Sequence, residues 1–315
     1  MPPCTGLKPA FMSATVVDAD LQKGTATSTA RPAVRAVESN TTRLPTFVIV
    51  GAMKSGTTSL ARWLKPHPQV FLSDIKELHF FDVHYDKGTD WYSRHFAGAG
   101  PRPAVGEATP AYMYDEQAAS RMHALLPEAR LVAILRNPVD RAYSHYWHNR
   151  QRGNEPLGFR QAIEGEPERR RRDDQPYRHA YAYLDRGRYL PQLQRLTAHY
   201  PREQLLVQTF DDLRADPQSV YRRVCGFLGV DDTVELSNIG RTFNPAREYR
   251  SLRLRTASRR LPRKLRYAVG RLNSRRVEYP AMDANLRAEL VAATANDTTA
   301  LSSWLDRDLS SWLQA

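Results

Sequence analysis

Cysteine is nearly missing from this chain of 315 residues: only Cys4 and Cys225 occur, one in a polar leader and one in an apolar context. Two such thiols supply neither a disulfide scaffold nor a thiolate metal site. The nine histidines are scattered, so they give no metal-ligand spacing either. Long apolar runs are absent too, and none reaches the roughly 20 residues that a membrane-spanning helix needs. The first 44 residues lack the basic start and continuous apolar stretch of a secretory signal, which makes a soluble cytoplasmic enzyme the expectation. Acidic residues are in deficit, with 34 Asp plus Glu against 46 Lys plus Arg and a formal charge of +12. That excess draws in anionic cofactors, anionic substrates or nucleic acid without separating them.

Residues 1 to 44 are rich in Ala, Thr, Pro and Asp without a sustained period and are expected to form a leader with little fixed structure. A single α/β domain is expected over 45–315, including a basic segment at 251–276 and C-terminal helices. Thr46 to Val50 predicts a buried strand, followed by a glycine- and hydroxyl-rich turn and a helix from Thr57 to Leu64 that Pro66 and Pro68 stop. Val70 to Leu72, Leu131 to Leu135 and Leu205 to Gln208 predict further short strands. Val139 to Arg150 and Pro217 to Leu228 predict helices, the second ending at Gly229, and Gly106 to Thr109 is expected to lead into a helix carrying Tyr112 and Tyr114. Strands alternating with helices imply a mainly parallel sheet covered on both faces, with ligands held beyond the carboxyl ends of its strands.

The segment Phe47 to Leu60, FVIVGAMKSGTTSL, is built like a phosphate cradle at a helix N-terminus. Gly51 and Gly56 keep the glycine spacing of the ATP-binding loop GxxxxGK[ST], but Thr57 stands where its lysine belongs and Lys54 sits inside the loop. An ordinary kinase or ATPase is therefore disfavoured. Amides around Ser55 to Thr58 would hold phosphate oxygens while Lys54 neutralises charge on a bridging oxygen; a tight turn with a solvated lysine is the plainer alternative. If the strands beginning at 46, 70 and 131 lie side by side, the loops after them converge. Arg136 would then bring a planar fork and Ser144 a short hydroxyl to the same anion.

Together with LVAILRNPVDRAYSHYWH, the cradle resembles the two cofactor signatures of the sulfotransferase family, whose members move a sulfuryl group from 3'-phosphoadenosine 5'-phosphosulfate (PAPS) to an acceptor. The resemblance extends from residue 45 to roughly residue 250 and implies a P-loop-containing α/β fold with no metal. It implies that Lys54, Ser55, Gly56, Thr57, Thr58 and Ser59 surround the 5'-phosphosulfate, that Arg136 and Ser144 hold the 3'-phosphate, and that adenosine 3',5'-bisphosphate is the product. KELHFFD, from Lys76 to Asp82, resembles the heparan-type and related carbohydrate branch, where the glutamate after the lysine is the base. By that resemblance Glu77 is the base and His79 the second choice. Lys76 lies near the transferring group, with Phe80, Phe81 and Asp82 in the pocket. Apolar Phe80 and Phe81 would raise the Glu77 pKa against nearby lysines, whereas simple pairing with Lys54 or Lys76 is its structural alternative. GEATPAY also resembles a feature of that branch and places Glu107, Thr109 and Tyr112 on the acceptor side, with helix capping as the alternative for Thr109. YLDRGRYLPQLQR is similar to the family's tyrosine-bearing segment and brings Tyr189 to the cofactor or against the adjacent helix. RTFNPAREYR falls where the family closes a loop over adenine and the 3'-phosphate, which assigns Arg247, Tyr249 and Arg250.

The expected reaction is in-line transfer to a hydroxyl of a glycosylated or lipidic small molecule or natural product, with Glu77 as base. No nucleic-acid partner and no stable membrane insertion are expected, and a homo-oligomer is compatible. A carbohydrate or polysaccharide O-sulfotransferase is the nearest alternative. A nucleotide-dependent phosphotransferase would want magnesium ligands and a lysine at the Thr57 position. A basic nucleic-acid-binding protein would use residues 251–276, a basic amphipathic stretch that lacks zinc-finger spacing and RNA-binding aromatics. The leading reading of that stretch is a helix packed on the body with its arginines outward; acceptor or cofactor recruitment, and contact with a partner or a membrane surface, are its alternatives. The four-arginine run Arg169 to Arg172 is expected to be a solvated loop.

Overall fold

The strand Phe47–Gly51 (β1) is buried along its whole length, and alternate residues serve opposite faces of the sheet: Val48 and Val50 join one apolar core, Phe47 and Ile49 the other. A strand covered on both sides needs an unbroken apolar run, which is why FVIVG carries no polar alternation. In this computed structural model, which describes residues 43–171, 180–241, 247–258 and 260–315, β1 is the centre of a five-stranded parallel sheet. The others are β2 (Val70–Leu72), β3 (Ala104–Ala108), β4 (Arg130–Leu135) and β5 (Leu205–Thr209), in the order β2-β3-β1-β4-β5. The helices α1 (Thr57–Leu64), α2 (Gly88–Ser93), α3 (Ala118–Leu125) and α4 (Pro138–Gln151) come from the first half of the chain. The proposed leader lies outside the described residues except for 43 and 44.

Two expectations change. The strands beginning at 47 and 70 are not neighbours, because β3 lies between them; its residues were expected only to lead into a helix. That helix does not form around Tyr112 and Tyr114. Pro110 has no amide to donate, and the Met113 amide goes to the Val50 carbonyl of β1 at 3.0 Å, so the segment is a series of turns that begins helical pairing only at α3. The sheet order puts a switch point at the carboxyl end of β1, with β3 on one side and β4 on the other. A crevice opens where chains leave a sheet in opposite directions.

Helix α4 starts sharply. Pro138 occupies its first turn, and the Asn137 side-chain oxygen accepts from the amides of Val139 at 2.9 Å and Asp140 at 3.2 Å. The Asn137 Nδ2 donates in turn to the Trp312 carbonyl at 3.2 Å, tying the chain's last turn to the mouth of β4. Further on, a two-stranded antiparallel pair, β6 (Arg247–Tyr249) and β7 (Ser274–Arg276), frames two basic helices, Leu252–Ser258 and Arg263–Leu272. A 22-residue helix, Ala284–Leu305, follows and is capped by Asp283. Because Asn137 both caps α4 and holds Trp312, Asn137→Ala is expected to cost about 1–2 kcal/mol. Urea denaturation of the two proteins measures it, and unchanged stability would show that water replaces both roles.

Candidate active site

The cradle forms where β1 runs into α1. At Gly51 an added Cβ would come within 2.7 Å of the Met113 side chain, so the chain can pass there only as glycine. Gly56 takes a left-handed conformation, φ 99°, directly ahead of α1. No side chain caps that helix and no acidic residue lies in its first turn. The first helical bond is donated by Leu60 to Gly56, leaving the amides of Gly56, Thr57 and Thr58 ahead of it, the usual anion-receiving end of a helix. Ser55 is fully buried beside Tyr189, and its hydroxyl finds no well-formed hydrogen bond. The Ser59 amide is already committed to the Gly56 carbonyl at 2.9 Å, so Ser59 brings no free amide to the cradle.

Lys54 stands among cations. Burial, Arg152 and Arg136 lower its pKa to about 8, with Glu77 opposing them. Its Nζ lies 3.4 Å from His148 Nδ1. Burial, Lys54 and Arg152 lower the His148 pKa to about 2, so the ring is neutral and accepts from the lysine. Sequence reasoning assigned His148 no role, although it lies one turn after Ser144 on α4 and faces the same side.

Arg136 leaves the end of β4 with its guanidinium 4.7 Å over the Phe210 ring and one nitrogen 3.3 Å from the Lys54 carbonyl. Its Nε is buried without a partner. The Tyr189 hydroxyl donates to the Arg136 carbonyl at 2.7 Å, so Tyr189 positions the arginine from below. Ser144 is buried next to the hydroxyl of Tyr279, which also lies in the field of Arg136. Tyr279 is held by stacking on Trp147, with centroids 5.7 Å apart and planes at 11°. Tyr279, a few residues after β7, approaches the Arg136 end of the crevice, while Tyr249 is covered by the Arg255 guanidinium at 4.6 Å and Arg250 is exposed to solvent. Residues 242–246 and the Arg247 side chain lie outside what the structure describes. Only a far segment carries Tyr279, and nothing local to it announces a site.

The loop after β2 has to cross β3 to reach the crevice. It does so through the Glu77 amide, which donates to the Ala108 carbonyl at 3.0 Å. Glu77 and His79 both have left-handed backbones, φ 64° and 54°, a conformation that costs a non-glycine residue about 1–3 kcal/mol. Aromatic packing beneath fixes them there: Phe80 stacks on Tyr92 at 4.4 Å, and its amide donates to the Tyr112 hydroxyl at 2.8 Å. Glu77 forms an ion pair with Lys76. His79 Nε2 is 4.0 Å from Glu77, and its Nδ1 is 2.8 Å from Asp82. Burial raises the Glu77 pKa, but Lys76, His79 and Arg152 outweigh it and leave the carboxyl below its ordinary value, not raised as expected from Phe80 and Phe81. For His79, burial pulls down while Asp82, Glu77 and Glu107 pull up and prevail. Glu77 is thus an ionised carboxylate, with 46% of its side chain open to solvent.

Glu107, Thr109 and Tyr112 are not on an acceptor wall. All are buried, and the Glu107 carboxylate accepts hydroxyls from Tyr92 at 2.8 Å, Tyr112 at 3.0 Å and Thr109 at 2.6 Å. Burial raises its pKa against those three bonds. Phe80 and Phe81, at 1% and 0% exposure, belong to the same floor, since a β3 residue points under the loop that crosses it. Among the described residues no group of three or more His, Cys, Asp or Glu side chains is arranged to hold a metal ion.

Comparison with known proteins agrees with this geometry. The family model described as a sulfotransferase domain matches residues 44–259. Bifunctional heparan sulfate N-deacetylase/N-sulfotransferase 2 of Bos taurus is 32% identical over 293 residues, covering 86% of this chain and 31% of that protein. Membrane-associated sulfotransferase kil1 of Dictyostelium discoideum is 39% identical over 113 residues, 35% of this chain and 24% of that one. The chain thus spans about a third or less of the length of these curated relatives. The crystal structure of a sulfotransferase from Alicyclobacillus acidocaldarius superimposes with a TM-score of 0.69 at 31% identity, covering 86% of this chain and all of that one.

Two outcomes follow from the charges. Between pH 8 and 10.5 an unfolded chain keeps a proton that folded Lys54 has lost, so Lys54 makes stability rise with pH across that window. Denaturation of the wild type and Lys54→Met at several pH values should show the stability of the wild type relative to the variant rising across that window. Removing the acceptor for three buried hydroxyls, Glu107→Ala should cost about 3 kcal/mol or more in stability, with Glu107→Gln costing less. Intact stability combined with a raised acceptor KM would restore Glu107 to the acceptor wall.

Proposed function

This chain belongs to the sulfotransferase family, and from that premise we propose that it moves the sulfuryl group of PAPS to a hydroxyl of a glycosylated or lipidic small molecule or natural product, with Glu77 as the base. The observation that carries the cofactor reading is a set of donors and cations left uncompensated within the fold. The α1 amides, the Ser55 hydroxyl and Lys54 form one group; the unpartnered Arg136 Nε with Ser144 and Tyr279 forms another. Two anion-receiving groups, each with its own donors, suit a nucleotide bearing phosphate at both its 5' and 3' positions. When bound, PAPS supplies an electrophilic sulfuryl group and a phosphate leaving group.

The chain's residues divide the remaining work. Glu77, held ionised by Lys76 and Arg152, accepts the proton of the acceptor hydroxyl. His79, anchored by Asp82, lies beside Glu77 and limits the directions the carboxylate can face. Lys54 would supply positive charge to the leaving group, and neutral His148 orients its ammonium. Tyr189 and the turn at Asn137 keep Arg136 aimed at the far end of the nucleotide, so binding energy there orients the reacting end.

A second reading, transfer to a glycan hydroxyl or amine, is favoured by the heparan sulfate named in one relative and by the cations Lys76 and Arg152 around Glu77, which suit an acidic sugar. Calorimetry with adenosine 3',5'-bisphosphate and AMP, without magnesium, tests the cofactor. The bisphosphate should bind more tightly, and Arg136→Ala should remove about tenfold to a hundredfold of that preference. Glu77→Gln should leave the binding unchanged while lowering kcat by about a hundredfold to ten-thousandfold on any acceptor the enzyme accepts. Equal binding of AMP and the bisphosphate would sink the cofactor reading, and an active Glu77→Gln protein would sink the base.

A further inference from the structure

Residues 250–276 contain eleven arginines and lysines and no acidic residue, nearly the whole of the chain's formal excess of +12. The structure gives this stretch a definite shape. Asn273 closes its base, donating to the Ser251 carbonyl at 2.7 Å while its side-chain oxygen accepts from the Ser251 amide at 2.9 Å and its carbonyl from the Arg250 amide at 2.8 Å. The helices Leu252–Ser258 and Arg263–Leu272 rise from that base as a hairpin. Arg255 fastens the hairpin to the body by donating to the Arg152 carbonyl at 2.8 Å, at the end of α4.

Only half of the expectation for this segment holds. Arg253, Arg260, Arg266 and Arg271 are exposed, but so are leucines: Leu254, Leu261, Leu265 and Leu272 are 49%, 39%, 55% and 77% exposed. They make up four of the eight exposed large apolar side chains among the described residues. Leu265 and Leu272, seven residues apart, share one stripe of their helix, with Arg266 and Arg271 exposed to either side of it. A face that carries both strong positive charge and projecting leucines is chemically specific. A sulfated or carboxylated sugar satisfies the arginines but offers the leucines nothing, and a nucleic acid is gripped by cations and aromatic stacking. An anionic bilayer satisfies both, its headgroups meeting the guanidinium groups while the leucines enter the boundary with the acyl chains.

We propose that the hairpin 250–276 is a peripheral docking surface for anionic lipid membranes, with Leu265 and Leu272 as its inserting side chains and the flanking arginines as its headgroup contacts. No helix among the described residues is long and apolar enough to cross a membrane, and adsorption needs none. Through Arg255 and Arg152 the surface is fastened next to the crevice, since Arg152 bears on the charge of both Lys54 and Glu77. Docking therefore brings the mouth of the site toward the interface. The proposal is independent of the acceptor's identity.

The full chain is sedimented with phosphatidylcholine vesicles containing about 30% phosphatidylglycerol, and with pure phosphatidylcholine vesicles, at two salt concentrations. The wild type should pellet with the anionic vesicles only, more weakly at the higher salt. L265S/L272S and R266Q/R271Q should each lower the partition coefficient by about tenfold or more. Heparin affinity, measured on the same proteins, should fall for the arginine variant and stay unchanged for the leucine variant, which also shows that the latter is folded and charged as before. Failure of the wild type to pellet overturns the proposal. So does leucine-independent pelleting, the mark of a purely electrostatic polyanion site.

Discussion

Positive charge gathered around one lysine, with too few carboxylates to answer it, is the constraint on which the rest of this structure turns. Lys54 lies among Arg136, Arg152, Lys76 and His148, and Glu77 is the one carboxylate among its principal electrostatic neighbours. Arg141, wholly buried behind them, leaves its Nε and one terminal nitrogen without partners. Burial and like charges in a crevice both weaken the fold, and together they depress the lysine pKa. A bound anion reverses the sign of the interaction, because the same charges then become ligands. The crevice is therefore a place where an anion is favoured, and loop amides, hydroxyls and a stacked arginine lie around it.

Holding such a site requires a rigid foundation, and β3 provides it. Two left-handed residues in the loop that carries Glu77 would relax if the loop were free. They are held because the loop lies on a floor of Phe80, Phe81, Tyr92 and Tyr112, itself organised by the Glu107 carboxylate. The carboxylate at the crevice and the carboxylate that holds the floor are thus different residues with opposite environments. Glu77 is lowered by cations and open to solvent, whereas Glu107 is raised by burial and satisfied by hydroxyls.

Closure comes from the other end of the chain. Trp312 donates to Asp211 at 2.7 Å and accepts from Asn137, while Arg307 pairs with Asp212 at 2.6 Å, so the last residues brace the helix start that follows β5 and the turn that aims Arg136. Tyr279 enters beside Ser144 from the segment after β7, and the 22-residue helix begins a few residues later. The basic hairpin between β6 and β7 stands out from this bracing with both its arginines and its leucines presented to solvent.

The sequence by itself determined the parts whose chemistry is contained in one strand, one turn and one helix. Lys54, Ser55 and Thr57 follow an apolar run and a glycine-spaced turn, and Arg136 with Ser144 follows another run and an Asn-Pro helix start; backbone geometry over a dozen residues fixes where such groups point. It also determined the parallel α/β class, because doubly buried strands need unbroken apolar runs. Only the tertiary structure decided what depends on which strands are neighbours. The insertion of β3 beside β1 turned Glu107, Thr109, Tyr112, Phe80 and Phe81 from pocket lining into floor, brought the Glu77 loop across a strand end, and gave its charge to Lys76 and Arg152 rather than to apolar surroundings. Tyr279, His148 and the outward leucines of the hairpin were settled by packing between segments distant in the chain. Burial and electrostatic field are sums over everything nearby in space, and a local pattern fixes only the part of that sum its own backbone supplies.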